Sequence, residues 1–334
     1  MAFLYLTEQG AVLKKTGEQL LVVLEDQTVL DIPASKVEGV LIFGNVQFTT
    51  QVLQLLLAQG VEFALFSRRG KLLGQLTAPF PKNIELRQAQ YQRAADPAWS
   101  RDFARLLVAG KLANALALVR EFAHNHPEVD LAAAISDLAA SLEAVNQTEA
   151  PTLNKLLGLE GLGSRRYFQC LAQMVRHSFG FTGRQRHPAP DPVNALLSLG
   201  YTLVYNELSW LLDGLGFDPY LGFYHQPRFG HATLASDLLE EFRAPLVDRL
   251  TLYLVNERLF QAEDFYLHTS GGMYLRDEPR KRYFREYERF LNRPLGRAAG
   301  GEAWSYRRLF RRQVERLRQA VLTGSPYEPY SFSW

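Results

Sequence analysis

Glu160 sits in Leu159-Glu160-Gly161-Leu162-Gly163-Ser164-Arg165-Arg166-Tyr167-Phe168, a segment of helical composition interrupted by two glycines. Each glycine costs a helix roughly 1 kcal/mol relative to alanine, so the pair suggests close approach of another backbone or of a ligand. A packing notch beside an ordinary surface glutamate is the other reading. His225 closes the run Gly214-Leu215-Gly216-Phe217-Asp218-Pro219-Tyr220-Leu221-Gly222-Phe223-Tyr224-His225, in which a helix stops at glycines and an apolar loop delivers one imidazole. A lone histidine is more often a hydrogen-bonded filler than a ligand, so it needs partners. Thr233-Leu234-Ala235-Ser236-Asp237-Leu238-Leu239-Glu240-Glu241-Phe242-Arg243-Ala244-Pro245 offers them: Asp237 and Glu240 are three apart and share a helix face. Alone, such a pair equally suits a solvated helix start. Together, one imidazole nitrogen and carboxylate oxygens form a hard donor set that suits Mg²⁺ or Mn²⁺ better than zinc. A cation held this way polarises a phosphodiester, activates a water or sugar hydroxyl, and neutralises charge on the leaving oxygen. On this reading Glu160, His225 and Glu240 are the metal ligands, with Asp237 beside them as an orienter or occasional ligand.

The charge pattern points to an anionic partner. The net charge is only +2, but residues 276–318 hold fourteen Arg/Lys against six Asp/Glu, a balance of +8 that leaves −6 elsewhere. Between Gly161 and Pro190 there are five arginines and no carboxylate. A merely solvated helix face would interleave glutamate with arginine, so this composition favours phosphate. Arg165, Arg166, Arg184, Arg186, Arg243, Arg311 and Arg312 are the candidate DNA contacts, although Glu315 is near enough in sequence to pair with some of the last group. No phosphate-binding loop of the Walker type and no Gly-x-Ser-x-Gly elbow occurs. Cys170 is the only cysteine, which excludes an internal disulfide and a cysteine-rich zinc site. No segment approaches the roughly 18 to 20 apolar residues of a membrane span, and the first residues lack a charged leader, so a cytoplasmic location is expected.

These side chains need elements to position them, and with 334 residues, 47% of them hydrophobic, two domains are expected. Residues 1–78 read as β-rich, with Gln19–Leu24, Thr28–Ile32 and Val37–Phe43 as the clearest strands and one helix near Thr50–Gln59. Gly10, Gly17 and Asp26 mark turns. Pro79-Phe80-Pro81-Lys82-Asn83 breaks regular structure and opens a linker, 79–100. From 101 to 322 the period becomes 3.6, with further helices near 131–147, 152–179, 191–214, 233–262 and 302–322. The fold class expected is therefore α+β, an N-terminal β-rich domain followed by an all-α-helical catalytic domain. The tail 323–334 is expected to be disordered.

In this order and with these neighbours, the three motifs resemble the CRISPR-associated integrase of spacer acquisition, the universal first protein of the Cas set. The matching segments are Glu160-Gly161 to Tyr167-Phe168, Gly222-Phe223-Tyr224-His225, and Asp237-Leu238-Leu239-Glu240-Glu241-Phe242-Arg243. Asp191-Pro192-Val193-Asn194 to Tyr201 is also close to the family, with Asn194 expected to pin the fold near the site. The likeness extends to the helix around Lys111 to Asn114 and covers nearly the whole chain. Gln226-Pro227-Arg228-Phe229-Gly230-His231 departs from the family's more usual Gly-Arg-Pro segment. The resemblance implies a β-domain that forms a homodimer, a helical domain with a Mg²⁺ or Mn²⁺ site, and assembly with the small second Cas protein. It implies DNA substrates, branched or double-stranded, and strand transfer in which a 3′-hydroxyl attacks a phosphodiester of the repeat array. A stand-alone repair nuclease using the same residues, or a non-catalytic DNA-binding scaffold, are the alternatives.

Overall fold

The computed structural model describes residues 2–68, 72–76, 84–148, 151–177, 179–185, 188–295 and 304–332. Two compact units emerge: residues 1–81 with 277–288, and residues 82–276 with 289–334. The proline-rich breaker at 79–83 lies outside the described residues.

The first unit is built from strands, as its alternating pattern requires. One sheet runs in the order β1 (Ala2–Leu6), β5 (Val37–Phe43), β7 (Glu62–Phe66), β8 (Leu72–Leu76), with the first three strands parallel. Central β5 is nearly continuously apolar, as a strand buried on both faces must be. The second sheet pairs β4 (Gln27–Pro33), β3 (Gln19–Leu24), β2 (Val12–Thr16) and β6 (Gln47–Phe48). Its turns fall at Gly17 and at Glu25-Asp26, where both non-glycine residues take positive φ as a type I′ hairpin demands. Helix α1 (Thr50–Ala58), capped by the Thr49 side chain, carries the chain from β6 to β7. Residues 277–288 add one helical face: Phe284 stacks on Tyr5 at 4.8 Å, and the Tyr5 hydroxyl donates to Glu288 at 2.6 Å.

Among its described residues the second unit is helical except for a small hairpin, β9 (Phe265–Leu267) with β10 (Met273–Leu275), which corrects the all-helical expectation. Its helices are α2 (Ile84–Ala95), α3 (Pro97–Asn125), α4 (Ala132–Asn146), α5 (Leu153–Met174), α6 (Pro192–Leu215), α7 (Thr233–Leu239), α8 (Arg249–Asn256) and α10 (Tyr306–Thr323). Between the last two, α9 (Asp277–Asn292) begins in the first unit. Among the described residues no helix is long and apolar enough to cross a membrane.

Two departures bear on the site. The helix expected over 233–262 is broken: α7 ends at Leu239, and Arg243–Asp248 winds as a wide π-type turn in which the Val247 amide reaches back to Phe242 O. Pro245 is the cause, because it has no N–H to give the carbonyl four residues back, that of Glu241. The Asn114 amide on α3 supplies the missing donor, at 2.9 Å from Glu241 O. The tail expected to be disordered instead packs on this unit as far as Phe332. Tyr327 and Phe332 are buried, the Tyr330 amide donates to Glu241, and the Phe332 amide donates to Asn114 Oδ1. The reason is chemical: the Glu241 carboxyl and the Asn114 amide are buried polar groups, and the tail satisfies them.

Candidate metal centre

Three segments far apart in sequence deliver the acidic and imidazole side chains to one place within the second unit. Glu160 projects from α5 towards α3. Gly163, one turn on, favours the approach: a Cβ there would fall 2.6 Å from a Leu112 methyl, so any larger residue would push that side chain aside where the two helices meet. Gly161, by contrast, faces open space. Tyr167, farther along α5, donates to the buried Asp248 at 2.7 Å, and Tyr201 of α6 donates to the same carboxylate. Burial pushes the Asp248 carboxyl up to about 6 despite these bonds. The Tyr-Phe end of the first motif thus ties α5 to the chain just beyond Glu240.

The loop that ends at His225 is held from two sides. Gln90 of α2, fully buried, donates to the Asp218 and Leu221 carbonyls and accepts from the Asp218 amide, all at 2.8 Å. Asp237, 0% exposed, holds the other side. Its Oδ2 accepts from the amides of Phe223 (2.7 Å) and Tyr224 (3.1 Å), and its Oδ1 from the His225 amide (2.9 Å). Oδ1 also meets His225 Nδ1 at 2.7 Å. Gly222 permits this wrapping, since a Cβ there would lie 2.7 Å from Asp237 Oδ2 and 2.9 Å from the Thr233 carbonyl carbon. Asp237 therefore spends its carboxylate on the loop and the ring. With Nδ1 so engaged, Nε2 is left facing Glu240 Oε1 at 3.9 Å. Burial works against protonation of His225, but the hydrogen bond and charge of Asp237, with Glu240 beyond, outweigh it and raise the imidazole pKa.

Glu240, 4% exposed, lies where α7 gives way to the broken turn. Its Oε2 meets Lys111 Nζ at 2.7 Å and Arg243 Nε at 2.9 Å, while the same Lys111 ammonium pairs with Glu160 Oε1. Burial alone would raise the Glu240 carboxyl; Arg243, Lys111 and His225 hold it well below the usual carboxylate range. Ser164 adds a hydrogen bond to Glu160 Oε1 at 3.0 Å. Beside these groups the Tyr224 hydroxyl is buried without a hydrogen-bond partner. Burial, then the charges of Glu160, Glu240 and Asp237, push that phenol upward. A buried phenol without a partner is the kind of polar group that a bound water or ion satisfies.

Glu160, His225 and Glu240 thus come together, whereas Asp237 points to the loop. Among the described residues no group of three His, Cys, Asp or Glu side chains stands in metal-binding geometry, and the Lys111 ammonium lies between the two glutamates. The donor chemistry fits a hard divalent cation nonetheless: two carboxylates converge on one cationic atom, with a pre-oriented imidazole nitrogen alongside. Of the arginine candidates, Arg165 is exposed and Arg186 lies outside the described residues. Arg166 donates to Asp137 O and Ser141, and Arg184 to Asn194, Ser198 and Gln185 O. Arg243 sits on Glu240 and over the Tyr201 ring. Exposed Arg311 pairs with Glu315, and Arg312 stacks on Trp304. Asn194 pins the 183–185 loop to the start of α6 through Gly183 O and the Gln185 amide.

A family model described as CRISPR associated protein Cas1 matches residues 4–289. The chain belongs to the Cas1 family. A Cas1 endonuclease of Thermus thermophilus is 37% identical over 334 residues, covering 98% of each chain. A protein of Geobacter sulfurreducens described as a Cas4 exonuclease and Cas1 endonuclease fusion is 35% identical over 96% of this chain, which spans only 58% of that longer relative. Among solved structures, a casposase bound to its integration product superposes with a TM-score of 0.84 at 20% identity, covering 97% of this chain and 92% of that one. A Cas6-RT-Cas1–Cas2 complex superposes at 0.81 with 25% identity, over 99% of this chain and 36% of that one. The Cas1 fold, strands first and helices after, is the one found here.

Lys111, Asn114, Gln90, Glu241 and Asp248 shape this Cas1 site without having stood out as chemistry in the sequence. The available signal was Pro245, whose position predicts a broken helix and a stranded carbonyl.

Proposed function

We propose that this chain is a divalent-metal-dependent DNA endonuclease and integrase that inserts short DNA fragments into a CRISPR array. The single observation that carries the reading is the convergence of Glu160, Glu240 and His225 from three remote segments around one cationic position. Glu160, Glu240 and His225 Nε2 would hold Mg²⁺ or Mn²⁺. When bound, that ion supplies Lewis-acid polarisation of a phosphodiester and neutralises charge on the leaving oxygen. Asp237 fixes the loop and the imidazole, so Nε2 is presented without rearrangement. Arg243 keeps Glu240 ionised and its carboxylate in place. The attacking group would be the 3′-hydroxyl of an incoming DNA strand, and plain hydrolysis would use the same residues. The casposase and the Cas1–Cas2 assembly among the structural neighbours support DNA, and a small second Cas protein, as partners. The β-rich unit would supply the homodimer contact.

The test is strand transfer of a short duplex into a repeat-bearing plasmid, with Mg²⁺ or Mn²⁺ and with or without the small partner. Glu160→Gln, His225→Ala and Glu240→Gln should abolish joined product while DNA binding persists. Undiminished joining in Glu160→Gln, or product formation in excess chelator, would refute the assignment. A repair nuclease acting alone would cut branched DNA equally well without the partner and join nothing.

A further inference from the structure

The site is already close to neutral before any ion arrives. Lys111 and Arg243 contribute two positive charges against the two negative ones of Glu160 and Glu240, and Asp237, whose charge is spread over three backbone amides and His225 Nδ1, adds one more negative charge when the imidazole is neutral. Lys111 is 11% exposed, and its Nζ lies against one oxygen of each glutamate. Arg243 touches Glu240 alone, and its guanidinium is held over the Tyr201 ring at 4.5 Å. Of the two cations, Lys111 therefore stands where a metal ligated by both carboxylates would stand.

From this geometry we infer that Lys111 is an exchangeable internal cation: it bridges Glu160 and Glu240 in the metal-free protein and must leave both when a divalent ion takes them. The inference rests on the proposed function. Neighbours on the same helix hold the Lys111 backbone in place, since Leu112 packs against Gly163 and Asn114 donates to Glu241 O. Only the four-carbon stem can swing, and a compact ammonium on a flexible stem suits that task where a planar guanidinium would not. Charge balance states where it goes. Adding two positive charges to this nearly balanced cluster leaves a positive excess that a phosphodiester offsets, so the displaced ammonium has an anionic partner once DNA is present. Lys111 thus lowers metal affinity in the free protein and couples metal loading to substrate. By thermodynamic linkage the coupling is mutual.

The test is Mn²⁺ binding to the intact, metal-free protein, read from the electron paramagnetic resonance signal of free Mn²⁺. Wild type is compared with Lys111→Met, Lys111→Gln and Lys111→Arg. Removing the competitor should tighten Mn²⁺ binding by about tenfold or more in the Met and Gln variants. Lys111→Arg, which keeps the charge in a fork suited to carboxylates, should weaken it. A lysine needed only for folding would loosen binding in all three, and equal or weaker affinity in both neutral variants overturns the inference. Circular dichroism identifies any variant that fails to fold, and the neutral variant that does fold then decides the result. If neither wild type nor any folded variant binds Mn²⁺, the metal reading itself falls, an outcome distinct from equal binding by all.

Discussion

Asp237→Asn is the substitution that best separates a bracket from a ligand. The carboxylate accepts four hydrogen bonds, two on each oxygen, from the Phe223, Tyr224 and His225 amides and from His225 Nδ1. An asparagine can present only one accepting oxygen. If the amide nitrogen replaces Oδ2, the Phe223 and Tyr224 N–H groups are both orphaned. At about 1–3 kcal/mol for each buried unsatisfied donor, that arrangement costs about 2–6 kcal/mol. If it replaces Oδ1, only the His225 N–H is orphaned, provided the ring shifts its proton to Nε2 and accepts at Nδ1. That arrangement costs about 1–3 kcal/mol and leaves Nε2 a donor, unable to ligate a cation. Either route predicts a less stable protein, and the second an inactive one, whereas Glu160→Gln keeps an oxygen for Lys111 and Ser164 and should lose activity with little loss of stability. Urea unfolding of the metal-free proteins followed by tryptophan fluorescence measures the difference. Trp99, packed edge-on against Phe223 at 4.7 Å, reports on the loop itself. Stability of Asp237→Asn within about 0.5 kcal/mol of wild type would refute the bracket argument.

Other perturbations probe the elements around it. Gly222→Ala should lower the melting temperature strongly, by overpacking worth about 1–3 kcal/mol or more, since the new methyl meets the Asp237 carboxylate and the Thr233 backbone; an unchanged melting temperature contradicts this. Deleting residues 324–334 strands the Glu241 carboxyl and Asn114 Oδ1, so hydrogen exchange should accelerate across 241–248; unchanged protection there would show the tail to be dispensable. Asp248 has a folded pKa of about 6, above its ordinary 3.8, so the folded state holds more protons than the unfolded one between those values. Its contribution to stability must then fall as pH rises from about 4 to about 6, on the order of 2–3 kcal/mol, and Asp248→Asn should remove that slope in a pH series of unfolding curves. A parallel pH dependence in the variant would contradict the assignment.

The acidic and imidazole groups were legible because their types and neighbours are unusual. Glu160 between glycines, His225 at the end of an apolar loop, and Asp237 with Glu240 on one turn each carry a local signature. Lys111 and Asn114 carry none beyond the family likeness of their helix, since a lysine and an amide three apart on a 29-residue helix look like its solvated face. Only the partners of that face, Glu240 and the carbonyl freed by Pro245, give them meaning. Gln90 fell in a segment that reads as linker, yet its buried amide holds the histidine loop. For the tail, terminal position argued for disorder, while the aromatics Tyr327, Tyr330 and Phe332 carried the opposite signal. The arginines were the weakest reading: without nearby carboxylates Arg166 and Arg184 still found acceptors, in backbone carbonyls, hydroxyls and an amide oxygen. Absence of acid in sequence does not leave a guanidinium free in space.

Anomalous diffraction from crystals of the protein soaked in Mn²⁺ shows directly whether Glu160, Glu240 and His225 hold one ion. The expected result is a manganese peak ligated by Glu160, Glu240 and His225 Nε2, with Asp237 still on Nδ1 and the Lys111 ammonium no longer between the glutamates. Manganese bound elsewhere, with both glutamates still paired to Lys111 at saturating Mn²⁺, would contradict it.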